Sequence, residues 1–250
     1  MLNLFFSKLL GRVPFSARIR IFRRLSETRL ALLASAALVV LFHLPHPDED
    51  LFPFLSVVSP CDTVVEVGSN TGGLTKLLAE KVTKCGQVIA VEPNPVAFAA
   101  LRFYVRHYPN VILGNVALSS HPNMVLHMTL RSFTDPGATL HMDKRSKTVM
   151  TIDCNSTTLD NFLSHLGICK VNAIFVDIEG HELDFIQGAK KIINNSRGLI
   201  IVAELHPRLK INVLEDVASE LRNQGFRITS ITQRAEFVTC VFQRIQTREN

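Results

Sequence analysis

The stretch Thr63-Val-Val-Glu-Val-Gly-Ser-Asn-Thr-Gly-Gly-Leu74 decides the fold. Thr63–Val67 is apolar apart from its ends and Glu66, and it reads as a buried strand. Gly68 and Gly72 then frame a G-x-x-x-G turn, and Gly73–Val82 reads as a helix. A strand that passes through a glycine turn straight into a helix is the opening unit of an α/β sheet. Glycine lets the backbone turn tightly and approach a ligand without a Cβ in the way. The spacing is not the G-x-G-x-x-G of a dinucleotide turn. A carboxylate at Glu66 suits a ligand carrying an ammonium group better than one carrying a pyrophosphate.

Working outward, the same alternation repeats. Gln87–Val91, Val111–Leu113, Ala173–Val176 and Leu199–Ala203 read as strands. Pro95–His107, Thr158–Leu166, Glu182–Ile193 and Val213–Gln224 read as helices, and Arg227–Thr232 with Phe237–Arg244 as a closing pair. Residues 119–155 break the rhythm and read as an inserted β-arm or loop. Apolar strands alternating with amphipathic helices predict a mostly parallel sheet covered on both faces. Ligands bind such sheets beyond the carboxyl ends of the strands, so the residues at those ends carry the functional reading.

The second strand ends at Glu92, 24 residues after Gly68, followed by Pro93-Asn94-Pro95. That position lets a carboxylate accept both hydroxyl protons of a ribose. With the glycine turn, it suggests adenosine bearing an amino-acid tail: S-adenosylmethionine. Asn115 and Ala117, after the third strand, offer an adenine wall. The fourth strand runs into Asp177-Ile-Glu-Gly-His-Glu182, and the fifth ends in Glu204-Leu-His206-Pro207. Glu204 and His206 share a side of an extended chain. Glu182 falls in the first turn of the next helix, where an acid is favoured by the dipole alone.

These segments, with Thr158-Leu-Asp160 and Gly188-Ala189, resemble the FkbM-type methyltransferases from about Asp48 to Pro207. The D-x-E-G-x-E motif followed by Gly-Ala is the specific part; the glycine turn is shared by many methyltransferases. Ser69, Thr71 and Glu66 stand where Ala, Ile and Asp are more usual in the family. The resemblance implies a Rossmann-like class I methyltransferase, α/β and doubly wound, with a mostly parallel seven-stranded sheet and an antiparallel last strand. It also implies S-adenosylmethionine as cofactor and, most often, a hydroxyl acceptor.

Methyl transfer needs in-line alignment and removal of the acceptor's proton. Glu66, Gly68, Ser69, Asn70, Thr71, Gly72, Glu92, Pro93, Asn94, Asn115, Ala117 and Asp177 are expected to hold the cofactor. His206 is the expected base, completed by Asp177, Glu179 and Glu204. No metal site is assigned, and a shared Mg²⁺ is an alternative that is not favoured. The expected acceptor is a hydroxyl on a sugar, a lipid-linked group or a small metabolite. The alternatives are methylation of a protein or nucleic acid, or a binding module without turnover. No Asn/Asp-Pro-Pro-aromatic motif follows the fourth strand, which argues against a nucleic-acid base.

The chain of 250 residues carries 27 Lys+Arg against 22 Asp+Glu. Residues 1–29 hold seven of the bases and only Glu27 among the acids, leaving 20 bases against 21 acids in the remainder. The domain from 45 to 250 is thus near neutral and is not built to coat a polyanion. Residues 1–44 form a basic, apolar extension. Its run Leu30–Leu44 has 15 residues, short of the roughly 18–20 of a span. A signal anchor, an Arg-rich transit peptide, and a helix packed on the domain or on lipid headgroups remain open readings. Five cysteines, an odd number without CxxC spacing, argue against a disulfide framework and for a reducing compartment. Cys61 and Cys85 read as buried small hydrophobes. A cytoplasmic enzyme, membrane-associated or organelle-targeted through residues 1–44, is the expected setting.

Overall fold

The computed structural model describes residues 52–130 and 150–245. The readings of residues 1–44 therefore lie outside the described residues. Seven strands form the main sheet: β1 (Thr63–Val67), β2 (Gln87–Val91), β3 (Val111–Gly114), β7 (Ala173–Val176), β8 (Ile200–Leu205), β9 (Phe226–Gln233) and β10 (Val238–Arg244). Their order is β3-β2-β1-β7-β8-β10-β9. β1 pairs in parallel with β2 on one side and with β7 on the other, and only β10 runs against its neighbours. This matches the expected doubly wound sheet with an antiparallel last strand. The order reverses at β1, so a crevice opens at its carboxyl end.

Alternation along β1 sends side chains to both faces. Val65 and Val67 join the larger core, with Ile174, Phe185 and Leu163. Val64 joins the opposite core, with Leu78, Val82, Phe54 and Phe175. The helices follow the strands: α2 (Gly73–Val82), α3 (Pro95–Tyr104), α4 (Leu159–His165), α5 (Glu182–Gln187), α6 (Lys190–Asn195) and α7 (Val213–Asn223). Asn94 caps α3, its Oδ1 accepting from Val96 N at 3.0 Å, with Pro95 in the first turn. A second, smaller sheet holds β4 (Ala117–Leu118), β5 (Val125–Leu130) and β6 (Met150–Thr157), with β5 and β6 antiparallel. β5 and most of β6 fall in the segment 119–155 read as an inserted β-arm or loop, of which 131–149 lie outside the described residues.

Four features differ from the sequence expectation. A short helix, α1 (Phe52–Ser56), precedes the sheet, and Phe54 packs on Phe175 with ring centroids 5.2 Å apart. The helix read over Glu182–Ile193 is two helices broken at Gly188-Ala189. Gly188 lies against Ser119, whose carbonyl oxygen would be 2.0 Å from an added Cβ. β8 extends to Leu205, so Glu204 lies inside the strand, opposite Thr239. Finally, Cys61 and Cys85 are not buried hydrophobes: both are exposed and joined by a disulfide. α2 runs back along β1, bringing the two sulfurs together across 24 residues. One bridge leaves Cys154, Cys169 and Cys240 as thiols, so the odd count never excluded it. The case for a reducing compartment from cysteine number falls with it. Among the described residues no helix is long and apolar enough to cross a membrane.

Candidate active site

The crevice is built where three strands stop side by side. Gly68 N and Ser69 N donate to Val91 O at 2.9 and 3.1 Å, and Asp177 N donates to Val67 O at 3.0 Å. Gly68 has φ +88°, and an added Cβ would sit 1.9 Å from Asp177 O. Glycine is thus required both by the left-handed turn and by the adjoining strand end. Among the residues lining the crevice are Gly68, Asn70, Glu92, Pro93, Asn94, Ala117, Asp177 and Glu179. The sequence reading missed the apolar part of this wall: Val67, Val91, Ala97, Leu118, Met128 and Ile178 also line it. Strand-end position alone would have found Val67, Val91 and Ile178; Met128 arrives from the β-arm and carries no local signal.

Glu92 organises one side. Its Oε2 accepts from Asn70 N at 2.9 Å and its Oε1 from Asn94 N at 2.8 Å. Asn115 Nδ2 donates to the Glu92 and Pro93 carbonyls at 2.8 and 3.1 Å, fixing the turn that carries the acid. Burial raises the Glu92 carboxyl to about 7, against the two backbone hydrogen bonds, which lower it.

Glu66 takes a different place from the one its sequence position suggests. By alternation it faces α2, away from the crevice lining, and Thr75 Oγ1 donates to its Oε2 at 2.5 Å. Ser69 Oγ donates to the Glu66 carbonyl at 3.2 Å. Burial pushes the Glu66 carboxyl up to about 8, opposed by the hydrogen bonds of Thr75 and Ser69. Glu66, Ser69 and Gly72, with Thr71 between them, therefore shape and brace the loop from behind, while Gly68 and Asn70 present it to the crevice.

The other side gathers Asp177, Glu179 and His206 from the ends of β7 and β8. His206 Nε2 donates to Asp177 Oδ1 at 3.1 Å, and its Nδ1 lies 3.4 Å from Glu179 Oε2. Phe237 packs beside the imidazole, with centroids 5.9 Å apart. Burial alone would push His206 down. The hydrogen bond and charge of Asp177, with the charges of Glu179 and Glu182, outweigh burial and raise it to about 9. Glu179 has φ +53° and Gly180 φ +100°. A left-handed non-glycine residue costs about 1–3 kcal/mol and is retained where surrounding structure enforces it. Here it turns Glu179 back toward His206. Glu204 stays in the sheet two residues before His206.

Glu182 lies in the first turn of α5, as read from the sequence, and is in addition wholly buried. Its Oε1 accepts from Gly180 N at 2.8 Å, while Oε2 has no hydrogen-bond partner. Burial raises its carboxyl, opposed first by its backbone hydrogen bonds and then by His206.

The strand order, the glycine turn and the acid at the tip of β2 define a Rossmann-like methyltransferase. Residues 66–228 match the methyltransferase FkbM domain, and the chain belongs to that family of S-adenosylmethionine-dependent methyltransferases. Solved structures share the fold at low identity. A putative rRNA-methylase from Clostridium thermocellum is 14% identical, with TM-score 0.53 over 81% of this chain and 99% of that one. A SAM-dependent O-methyltransferase from Thermotoga maritima is 12% identical, with TM-score 0.51 over 88% and 73%. A precorrin-6y C5,15-methyltransferase from Geobacter metallireducens is 10% identical, with TM-score 0.50 over 79% and 89%. No curated protein matches the chain.

Proposed function

We propose that the protein transfers the methyl group of S-adenosylmethionine to a hydroxyl of a sugar, lipid-linked or small-metabolite acceptor. The observation that carries this reading is the Asp177–His206–Glu179 cluster at the mouth of the cofactor crevice. An amine acceptor brings its own lone pair, whereas a hydroxyl near neutral pH needs a proton acceptor beside it. In the transfer the acceptor O–H bond breaks, an O–CH₃ bond forms, and the C–S electron pair returns to sulfur. Asp177 lines the crevice and takes the proton. His206, raised to about 9, is an imidazolium at neutral pH and lacks a free lone pair. It therefore serves as the cation that holds Asp177 and Glu179 in place, and the base role expected of it passes to Asp177.

His206→Ala and Asp177→Asn are each expected to lower turnover by about 10²-fold or more, with S-adenosylmethionine binding retained by calorimetry. A methyl-transfer screen over glycans, lipids and hydroxylated metabolites identifies the acceptor. Wild-type turnover in both variants would remove the cluster from catalysis. Methylation confined to protein or nucleic acid would select the alternative substrate class, and an absence of cofactor binding would select the binding module.

Glu92 gives the reading a pH signature. Its folded value, about 7, lies above its ordinary 4.5. The stability it contributes to the cofactor-free domain is complete below about 4.5 and is lost as pH rises through 7. The ionised form accepts two ribose hydroxyls, so cofactor binding favours loss of that proton. The charges facing Glu92 include Asp177 across the crevice, and the Cys154 thiol feels its field. Affinity for S-adenosylmethionine is expected to rise between about pH 6 and pH 8, with proton release detectable by calorimetry in buffers of different ionisation enthalpy. Glu92→Gln should flatten this dependence, and an unchanged profile in that variant would move the titration elsewhere.

A further inference from the structure

We propose that Asp177, Glu179 and His206 form a binding site for one divalent first-row transition-metal ion, represented by Mn²⁺, whose open positions take the acceptor oxygen. The proposal rests on the hydroxyl-methylation reading for the acceptor, but the ion site itself stands on the residues.

Each of the three side chains offers one ligand atom, and these atoms lie within 4.8 Å of one another. His206 Nε2 and Asp177 Oδ1 are 3.1 Å apart. Two adjacent ligands on bonds of about 2.1 Å are separated by about 3.0 Å in an octahedral shell. The pair thus already spans one edge of such a shell. Glu179 supplies the third donor: its Oε2 lies 3.4 Å from His206 Nδ1, and a ligand atom of Glu179 lies within 4.8 Å of the other two. The side chain of Asp177 is 46% exposed while that of His206 is 10% exposed, so the set is anchored at its base and accessible from the crevice.

A second observation comes from beside the cluster. Glu182 is fully buried, its Oε2 has no hydrogen-bond partner, and it is electrostatically coupled to both His206 and Asp177. Burial favours its protonated form and the charge of His206 opposes that; a cation bound beside His206 would oppose it further. The donor set selects the ion. Carboxylate and water oxygens suit Mg²⁺ and Mn²⁺ alike, and the added imidazole shifts the preference from Mg²⁺ toward a first-row transition ion. The sequence reading already grouped these residues, but it favoured a base and gave a shared Mg²⁺ only as the alternative.

The consequence for the reaction follows from ordinary metal chemistry. A hydroxyl bound to a divalent ion loses its proton more readily. The proton leaves to the free oxygen of Asp177 and from there to solvent. The oxygen attacks the methyl carbon, and the C–S pair remains on sulfur. His206 is then a neutral ligand, and the ion replaces its proton as the positive charge between the carboxylates.

The test is Mn²⁺ titration of the full chain, read as loss of the free-ion electron paramagnetic resonance signal, with and without S-adenosylmethionine. One ion per chain is expected. Glu179→Gln should weaken binding at least tenfold, and His206→Ala should abolish it. Glu215→Gln, an exposed acid on α7, should leave it unchanged. Tenfold excess Mg²⁺ should fail to displace the Mn²⁺. Thermal melts check folding, and if His206→Ala does not fold, the contrast between Glu179→Gln and Glu215→Gln decides. No saturable binding by the wild type, equal binding in Glu179→Gln, or displacement by Mg²⁺ would each overturn the site. Calorimetry with S-adenosylmethionine on the same preparation separates the two readings. Cofactor binding without Mn²⁺ binding rejects the metal site alone, whereas Mn²⁺ binding without cofactor binding keeps the site and rejects the methyltransferase reading.

Discussion

Gly68→Ala is expected to abolish measurable S-adenosylmethionine binding and to destabilise the domain by several kcal/mol. The added Cβ would sit 1.9 Å from Asp177 O and 3.2 Å from Ile178 Cγ2. The first contact is with backbone, so no side-chain rotation relieves it. The φ of +88° adds a strain that an L-residue rarely bears. Relief requires β1 and β7 to part at their carboxyl ends, which displaces both the cofactor loop and Asp177. Calorimetry reads the lost affinity, and a thermal melt reads the lost stability. Gly198→Ala is the control: nothing lies within 4 Å of its Cβ position, so its effect should stay within about 0.5 kcal/mol. Wild-type cofactor affinity in Gly68→Ala would show that the loop does not hold the ligand in this geometry.

The second large effect concerns the disulfide. Replacing Cys61 and Cys85 together by Ser is expected to cost about 3 kcal/mol, from the loop entropy of a bridge spanning 24 residues. For a domain of this size that lowers Tm by about 6–12 °C. The bridge closes β1, the glycine turn and α2 into one loop, the same unit that presents Gly68 and Asn70. Cys61 N also donates to Val82 O at 2.8 Å, and Gln87 N to Asp62 O at 2.9 Å, so the loop ends are already close in the folded state. The constraint therefore acts chiefly on the unfolded chain. A reductant should reproduce the loss in the wild type and leave the double variant unchanged. Equal melting of wild type and variant under non-reducing conditions would show that the bridge contributes nothing.

The sheet was legible because its signals are local. Near-continuous apolar runs, glycine at the first strand-to-helix turn, and Pro95 at a helix start each report on residues within one turn or strand of themselves. The acids at 92 and 177 and His206 were legible for a related reason: charge directly after an apolar strand has only the strand end to occupy. Errors arose where a distant element decides. The run from Glu182 to Ile193 has helical periodicity, yet it breaks at Gly188-Ala189, where the backbone of Ser119, nearly 70 residues earlier, lies against Gly188. Cys61 and Cys85 lack a recognised cysteine spacing, but α2 folds them together. Glu66 follows the acid-before-glycine pattern, but strand alternation turns it toward Thr75.

By itself, then, the sequence determined the α/β sheet, the glycine turn, the carboxylate at the tip of β2 and the family to which they belong, because backbone propensity and side-chain period are written in neighbouring residues. Only the tertiary structure decided what the charged groups do. It placed His206 between Asp177 and Glu179, buried Glu182, and raised His206, Glu66 and Glu92. Those outcomes depend on burial and on charges brought within a few ångströms from strands 29 residues apart in the chain, and a residue's protonation and partners follow from that convergence rather than from its place in the sequence.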